Sequence, residues 1–545
     1  MKKLVTLSLL SLIVLASCSN KESVSSSTVP SFNPNASLVD QNIDDNYRNY
    51  YEIFVSSFAD SNGDGTGDLN GIDAKLSYLR DLGYTGIWLT PIFTSSSYHK
   101  YNCDNYFAID SSFGTMEDLK NLVKDAHSLG IKVILDGVFN HSGVSNDWFT
   151  KALLAKQKEI AGTTMSDEEK NYASLYVFYD TVKEASASGM TYYQAGANDF
   201  YYEANFSSSM PEFNFDSEFT YTKIKSIIDY YMSSEIGIDG FRLDAVKYYY
   251  YGNTTKNVAA LSRIEKMVKD NDADGYAVGE CWDSDSIISS YYQSDLDSYF
   301  YFPASTSAGF LFGSMGGFDG SEKICYLENQ KNMITAANGH IPAPFLDNHD
   351  MARMTKGNNI MMTKFQLGLL SMLTGTTYNY YGDEIGMSSS NAPGGDNNDS
   401  NFRTHYYWDD DTHASECYDP QYSVAQEEFY PASAAQLKDP DSILNYVKTA
   451  NLIRNSLPSI ARGYVEENDT TDQTINNDTS NPLLVVNKEY NNSSIKILIN
   501  FSLTVTTTYT SSLTPKAILP LSSSSPITYQ DGVITLPPYA IAVLA

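Results

Sequence analysis

The sequence predicts an α/β protein: a parallel (β/α)8 TIM barrel with a small domain inserted after strand 3 and a C-terminal antiparallel β-sandwich domain. Three observations predict it. Short apolar runs end repeatedly in polar, chemistry-bearing residues: "YEIFVSSFAD", "GIWLTPI", "IKVILDGVFNH", "GIDGFRLDAVKY", "GYAVGE", "IPAPFLDNHD" and "YNYYGDE". Amphipathic stretches such as "TMEDLKNLVKDAHSLG" and "TKIKSIIDYYMSSEIG" separate several of them, the alternation of parallel βα units. From about residue 464 the chain turns rich in Thr, Ser, Val and Asn, with alternating runs such as "SIKILINFSL" and "VITLPPYAIAVLA" that read as antiparallel strands.

Taken in order, residues 1–17 read as an export signal: two lysines, an apolar stretch too short to span a bilayer, then Leu15-Ala16-Ser17-Cys18. The tetrapeptide resembles a bacterial lipobox, which implies that Cys18 carries lipid and anchors the chain to a membrane; a plain cleaved signal is the alternative. The rest of 18–42 is rich in Ser, Asn and Pro and reads as a flexible tether. The barrel is expected over 43–141 and 211–463. Roughly a hundred residues separate "DGVFNH" from "GIDGFRLD", too many for a loop, so an inserted domain is expected at 142–210. The β domain is expected at 464–545.

Composition bounds the partners. Lys plus Arg number 36 against 66 Asp plus Glu, a net charge of −30, which argues against nucleic acid and anionic membrane as ligands. The 42 tyrosines suit sugar stacking as well as ordinary cores. Cys103, Cys281, Cys325 and Cys417 match no zinc spacing, and any disulfide pairing among them is not legible.

The stretch "DSNGDGTGDLNG" after the first run places oxygen side chains at alternate positions with Gly65 at the bend, as a calcium loop requires; a solvated polar turn is the bland alternative. An EF-hand is excluded, because position twelve from Asp60 is Gly71 rather than glutamate. A similar spacing in "DNDADG" (270–275) directly precedes an apolar strand and reads as a turn.

Three acidic residues close three of the strand runs: Asp244, Glu280 and Asp350. Arg242, two residues before Asp244, shares its face on a strand and is expected to hold it ionised, as a nucleophile requires. Glu280, beside Cys281 and Trp282, is expected to have a raised pKa suited to proton donation. Such a pair suits glycoside hydrolysis.

Together with "DGVFNH", these segments resemble the α-amylase family of glycoside hydrolases (family 13), in the family's motif order, from about residue 45 to 420. The resemblance implies Asp244 as nucleophile with Arg242 as its partner, Glu280 as general acid/base and Asp350 as transition-state stabiliser. It implies sugar-binding roles for His349, His141 and Lys247, the last on the reducing-end side, and from "YHKYNCDNY" for His99 and the stacking Tyr101. Asp136 supports the site, and Asn140 matches a calcium ligand of many members. The loop resembles that of relatives near oligo-1,6-glucosidases and neopullulanases, where Asp60, Asn62, Asp64, Asp68 and the carbonyl of Thr66 would hold a structural calcium.

Specificity hints within the resemblance diverge. Ala245 after the nucleophile is typical of α-1,4 cleavage, "MPEFNFD" resembles the motif of intermediate members with mixed linkage, and "NFRTHYYWDD", with Arg403 and Trp408, resembles a loop of the oligoglucosidases. Tyr248, Glu212 and Asn102 depart from the usual histidine, aspartate and aspartate. The reading is an exported, lipid-anchored, monomeric, retaining endo-α-amylase acting on α-1,4 bonds of starch and maltooligosaccharides. Alternatives are an α-1,6-acting, neopullulanase-type or transglycosylating relative, or a non-catalytic surface sugar-binding lipoprotein.

Overall fold

The computed structural model describes residues 32–545 apart from 306–308, 312–319, 356–358, 390–398, 410–413, 416, 418–429 and 468. The signal sequence, Cys18 and the start of the tether lie outside the described residues. Eight parallel strands form one sheet: β1 (Asn49–Ile53), β2 (Gly86–Leu89), β3 (Lys132–Gly137), β4 (Gly240–Leu243), β5 (Tyr276–Gly279), β6 (Ser298–Phe300), β7 (Ile341–Ala343) and β8 (Thr377–Tyr380). β8 pairs with β1, and a parallel bridge from Phe345 to Tyr378 joins the end of β7 to β8 and closes the ring. Seven of these strands are the apolar runs of the sequence. The sixth is three residues long and ends in no catalytic-looking side chain, so nothing in the sequence marks it.

A helix follows each strand: α1 (Leu69–Asp81), α2 (Met116–Ser128), α3 (Glu218–Tyr231), α4 (Thr254–Asn271), α5 (Asp285–Tyr291), α6 (Gly320–Ala337), α7 (Ile360–Ser371) and α8 (Ile443–Ser456). Several starts are chemically marked. Asp68 caps α1 by accepting from the Gly71 amide, and Thr115 and Asp118 form a reciprocal capping box on α2. Leu119, Leu122, Val123 and Ala126 then fall on one buried face of α2 at helical spacing.

Aromatic side chains fill much of the barrel interior. The Tyr50 ring stacks between Tyr276 (5.6 Å) and Tyr378 (5.1 Å), with Trp88, Phe300 and Phe345 above. Gly86 leaves room for this packing, because a Cβ there would lie 2.5 Å from the Tyr50 ring.

Between β3 and α3 the chain forms helices Asp147–Ile160, Asp167–Leu175 and Val182–Ser188. A three-stranded antiparallel sheet (Phe178–Tyr179, Tyr201–Glu203, Tyr192–Gln194) completes this excursion. Past the barrel, a five-stranded sheet faces a three-stranded one across a core of Leu483, Val485, Leu498, Tyr509, Ile534 and Leu536. The alternate residues Leu484, Val486, Ile497 and Ile499 turn to the main barrel core. Both faces of the central strands are therefore buried.

The tether reading does not hold for residues 33–42. Asn35 exchanges two hydrogen bonds with the backbone of Ile518 (2.7 and 2.8 Å), Ser456 donates to the Val39 carbonyl, and Asp40 pairs with Arg80. A polar segment is seated here by satisfying backbone groups at a sheet edge rather than by burying a core of its own. Among the described residues, Cys103, Cys281 and Cys325 are free thiols. In the 270–275 stretch the end of α4 passes into a turn, with Asp272 accepting from the Asp274 amide. No described helix is long and apolar enough to cross a membrane.

Candidate active site

Parallel strands deliver their carboxyl-end residues to one rim of the barrel, and there the predicted residues meet. Arg242 on β4, wholly buried beneath the Trp88 ring, is the hub. Its Nη1 donates to Asp136 on β3 (2.9 and 3.1 Å) and to Asp244 (2.6 Å), and its Nη2 forms an ion pair with Glu280 Oε1 at 3.0 Å. The other Glu280 oxygen accepts from the Ala245 amide at 2.9 Å. Ala245 holds a left-handed φ of 48°, a conformation that costs a non-glycine residue energy and turns its N–H toward the acid.

The second half of the site descends from β7. His349 is fully buried, with Nδ1 2.6 Å from Glu52 of β1 and Nε2 3.2 Å from Asp350. Nε2 also lies 2.7 Å from the Tyr101 hydroxyl, which donates to Asp136 at 2.8 Å, so a continuous chain of hydrogen bonds joins β1, β7 and β3. Tyr101 stacks parallel to His349 (5.5 Å, 9°). Arg403 donates to Asp350 (2.9 Å) and to the His349 carbonyl (2.8 Å).

These contacts set opposed proton affinities. Burial, reinforced by Asp244 and Asp350 and opposed by Arg242, pushes Glu280 up to about 7. Burial would also raise Asp350, but the charge and hydrogen bond of His349 and the charge of Arg403 outweigh it and hold this carboxyl well below the usual range. His349 moves up to about 10, because Asp350 and Glu52 overcome the burial penalty on its charge. Burial pushes Asp136 up to about 6 against the pull of Arg242. His99 drops to about 3, through burial and then the nearby Arg403, and burial also lowers His141.

A cleft of about 610 Å³ opens over the carboxylates, lined by His99, Tyr101, His141, Asp244, Lys247, Glu280 and Asp350 among others. Arg242 and His349 lie just beneath its floor, so all nine predicted catalytic and substrate-binding residues come together. His141 Nε2 is 3.2 Å from the Tyr101 carbonyl, and Lys247 donates to the Trp282 carbonyl and to Asp283. Sequence reasoning missed Glu52 and the contact of Arg403 with Asp350. A carboxylate inside the apolar run "YYEIF" was the available signal for Glu52; for Arg403, which reaches Asp350 from a segment remote in the chain, there was none.

The 60–68 loop stands apart from this cleft. Asp60 accepts from the amides of Asn62, Gly63 and Gly65, Asn62 from Asp64, and Asp64 from Thr66, while Gly63 and Gly65 take left-handed φ values of 79° and 94°. Asp68 accepts from Ser61 as well as capping α1. Among the described residues no three His, Cys, Asp or Glu side chains gather as a ready metal cage. By donor chemistry the loop is of the kind calcium takes, with hard oxygens at alternate positions; Asp60 Oδ1 accepts from two amides here and both Asp68 oxygens accept from Ser61, while Asp60 Oδ2, Asn62 Oδ1 and Asp64 Oδ1 each accept from one amide. Of the departing positions, Asn102 donates to Ser209, and Glu212 accepts from Asn205 and is pushed by burial up to about 7. Asn140 is buried, and its Oδ1 lacks a hydrogen-bond partner.

Comparison with known proteins places this geometry. Residues 52–463 match the model for the alpha amylase catalytic domain. Alpha-amylase 3 of Dictyoglomus thermophilum is 32% identical over 414 residues, 75% of this chain and 77% of that protein. A 4-alpha-glucanotransferase of Thermotoga neapolitana is 28% identical over 333 residues, 58% of this chain and 67% of that protein. Among solved structures, Eubacterium rectale Amy13B superposes with a TM-score of 0.83 at 32% identity, covering 94% of this chain and 97% of that one. The chain belongs to the α-amylase family of glycoside hydrolases and is a glycosidase.

Proposed function

We propose that this glycosidase is a retaining, endo-acting α-amylase that cleaves α-1,4 bonds of starch and maltooligosaccharides. The observation that carries the reading is the single Arg242 guanidinium shared by Asp244 and Glu280. Bridging two carboxyl groups in this way is compatible with the separation of about 5 to 5.5 Å used in double displacement, and leaves little room for the water of an inverting enzyme.

In the proposed mechanism Glu280, neutral up to about pH 7, protonates the glycosidic oxygen while Asp244 attacks the anomeric carbon. Departure of the leaving chain leaves a glycosyl ester on Asp244 and a carboxylate on Glu280. That carboxylate deprotonates a water, whose oxygen bonds the anomeric carbon as the ester breaks, restoring both groups. Asp350, held ionised by His349 and Arg403, stabilises the positive charge that develops on the sugar. His99, Tyr101 and His141 bind the sugar at the cleavage point. Ala245 and the likeness to alpha-amylase 3 support α-1,4 specificity. A transferase reading is the alternative, supported by the likeness to a 4-alpha-glucanotransferase.

We further propose that Asp60, Asn62, Asp64, Asp68 and the Thr66 carbonyl hold a calcium ion, which when bound cross-links the β1–α1 loop and takes no part in the chemistry. Attachment to the cell membrane through a lipid on Cys18 and a monomeric state complete the proposal.

The test is chromatography of products from soluble starch, pullulan and isomaltose, with Asp244→Asn as control. Mixed maltooligosaccharides from starch, untouched isomaltose and an inactive control are expected. Glucose from isomaltose with intact starch would place the enzyme on the α-1,6 side.

A further inference from the structure

A buried charge cluster beside the β7 arm of the site takes no part in the mechanism. Asp347, Arg353 and Asp383 are all buried. Asp347 and Arg353 bracket the turn that carries His349 and Asp350. One Asp347 oxygen accepts from the Met354 amide and closes that turn. Inside it the Asn348 side chain accepts from the Asp350 amide at 3.0 Å, and its carbonyl from the Met351 amide at 3.2 Å. Asp383 arrives from the other side, just past the end of β8.

The Asp347 and Asp383 carboxyls are hydrogen-bonded to each other. Two ionised carboxylates offer each other only acceptors, and as such Asp347 Oδ1 and both Asp383 oxygens find no donor among the described residues. The contact is a hydrogen bond only if one proton is held between them. Arg353 does not replace that proton. Its Nη1 donates to the Tyr381 carbonyl at 2.6 Å and stays 3.6 Å from Asp383, while its Nε and Nη2 meet no acceptor among the described residues. One guanidinium therefore faces two carboxyls, and a second full negative charge in this buried place would be uncompensated.

The other charged neighbours do not change the balance. Glu52 on β1 is engaged by His349, Asp350 by His349 and Arg403, and Glu384 by the Tyr51 and Tyr406 hydroxyls and the Gly382 amide. Glu52 adds negative field at Asp347, and Glu384 at Asp383. Burial first, and then the charge of Asp347, push the Asp383 carboxyl well above the usual range, which places the proton on Asp383.

We propose that Asp383 is a positioning residue: as a neutral acid it donates to Asp347 and ties the turn carrying His349 and Asp350 to the end of β8. The inference rests on the role proposed above for Asp350. Arg353, through the Tyr381 carbonyl, makes the second tie between the same two elements. Ionisation of Asp383 would replace the first tie by repulsion and loosen the turn.

The test compares wild type with Asp383→Asn, whose amide can donate to Asp347 in place of the shared proton. The folded protein keeps a proton on Asp383 that the unfolded chain releases near about pH 4. Wild type therefore loses stability as pH rises from there through the folded-state pKa, and the amide variant does not. The melting temperature of Asp383→Asn minus that of wild type is expected to rise by a few degrees between about pH 4 and pH 8. A constant difference, or one that falls as it would for an ionised Asp383 paired with Arg353, would overturn the proposal. Asp347→Asn, which offers an amide from the opposite side, is expected to give the same rising difference and serves if the first variant does not fold. Positioning is read from kinetics on maltoheptaose at about pH 6, where Asp383→Ala is expected to lower kcat about tenfold with KM little changed and Asp383→Asn to recover most of the loss. Equal losses in both variants, or none in either, would contradict the positioning role. A wild type inactive on maltoheptaose would instead overturn the endo-amylase reading, with the melting comparison still deciding the shared proton.

Discussion

At the scale of single residues, the site works by assigning protons. Arg242 serves three carboxylates at once, and an arginine placed two residues before an aspartate on a strand made that pairing legible from spacing alone. The reason for the raised Glu280 pKa was less legible. Burial leads, and the like charges of Asp244 and Asp350, on other strands, reinforce it. Of the flanking Cys281 and Trp282 to which the sequence points, Trp282 is half exposed. In the proposed mechanism the proton-bearing form of Glu280 does the work, so activity belongs below its pKa. kcat/KM on maltooligosaccharides is expected to fall as pH rises through about 7, roughly tenfold per unit beyond it. A profile that stays flat to pH 9 would remove Glu280 from the acid role.

At the scale of elements, strands and their loops were legible where chemistry marked their ends. Six strands lie in runs that carry or lead into carboxylates, histidines or amides that a core strand has no reason to carry, and β2, in "GIWLTPI", was legible from its apolar run alone. β6, bounded by tyrosines and phenylalanines, has no such mark. The β1–α1 loop was visible for the same reason, as four acids or amides and repeated glycines in one turn. Its side chains hold the loop through amide hydrogen bonds, and the proposed ion would add a tie between 60 and 68. A ligand present at a hundred times its Kd adds about 2.7 kcal/mol to the folded state. Chelation is therefore expected to lower the melting temperature by several degrees. Asp60→Asn combined with Asp64→Asn is expected to melt at one temperature with or without chelator. A wild type indifferent to both chelator and added calcium would refute the ion.

At the scale of the whole molecule, the sequence divides by composition, but what joins the parts is hidden. Lys488 sits in "VVNKEY", where alternation suggests an exposed side chain. It is fully buried, its ammonium donating to the carbonyls of Met372 and Ile460 and to Thr374. Lys323 likewise donates to the carbonyls of Ile475, Asp478, Asn481 and Leu483. Such cations satisfy orphan carbonyls at the junction of barrel and β domain, a need that arises only once both are folded. The inserted segment shows the same limit. Its length announced it, whereas the delivery of Phe206 to the cleft depends on how the segment packs. The proposed mechanism comes down to one statement about the reaction: two successive displacements at the same anomeric carbon. Proton NMR of maltoheptaose hydrolysis, recorded before mutarotation, tests this most directly. The account predicts that the α-anomer of the new reducing end appears first, and initial release of the β-anomer would contradict it.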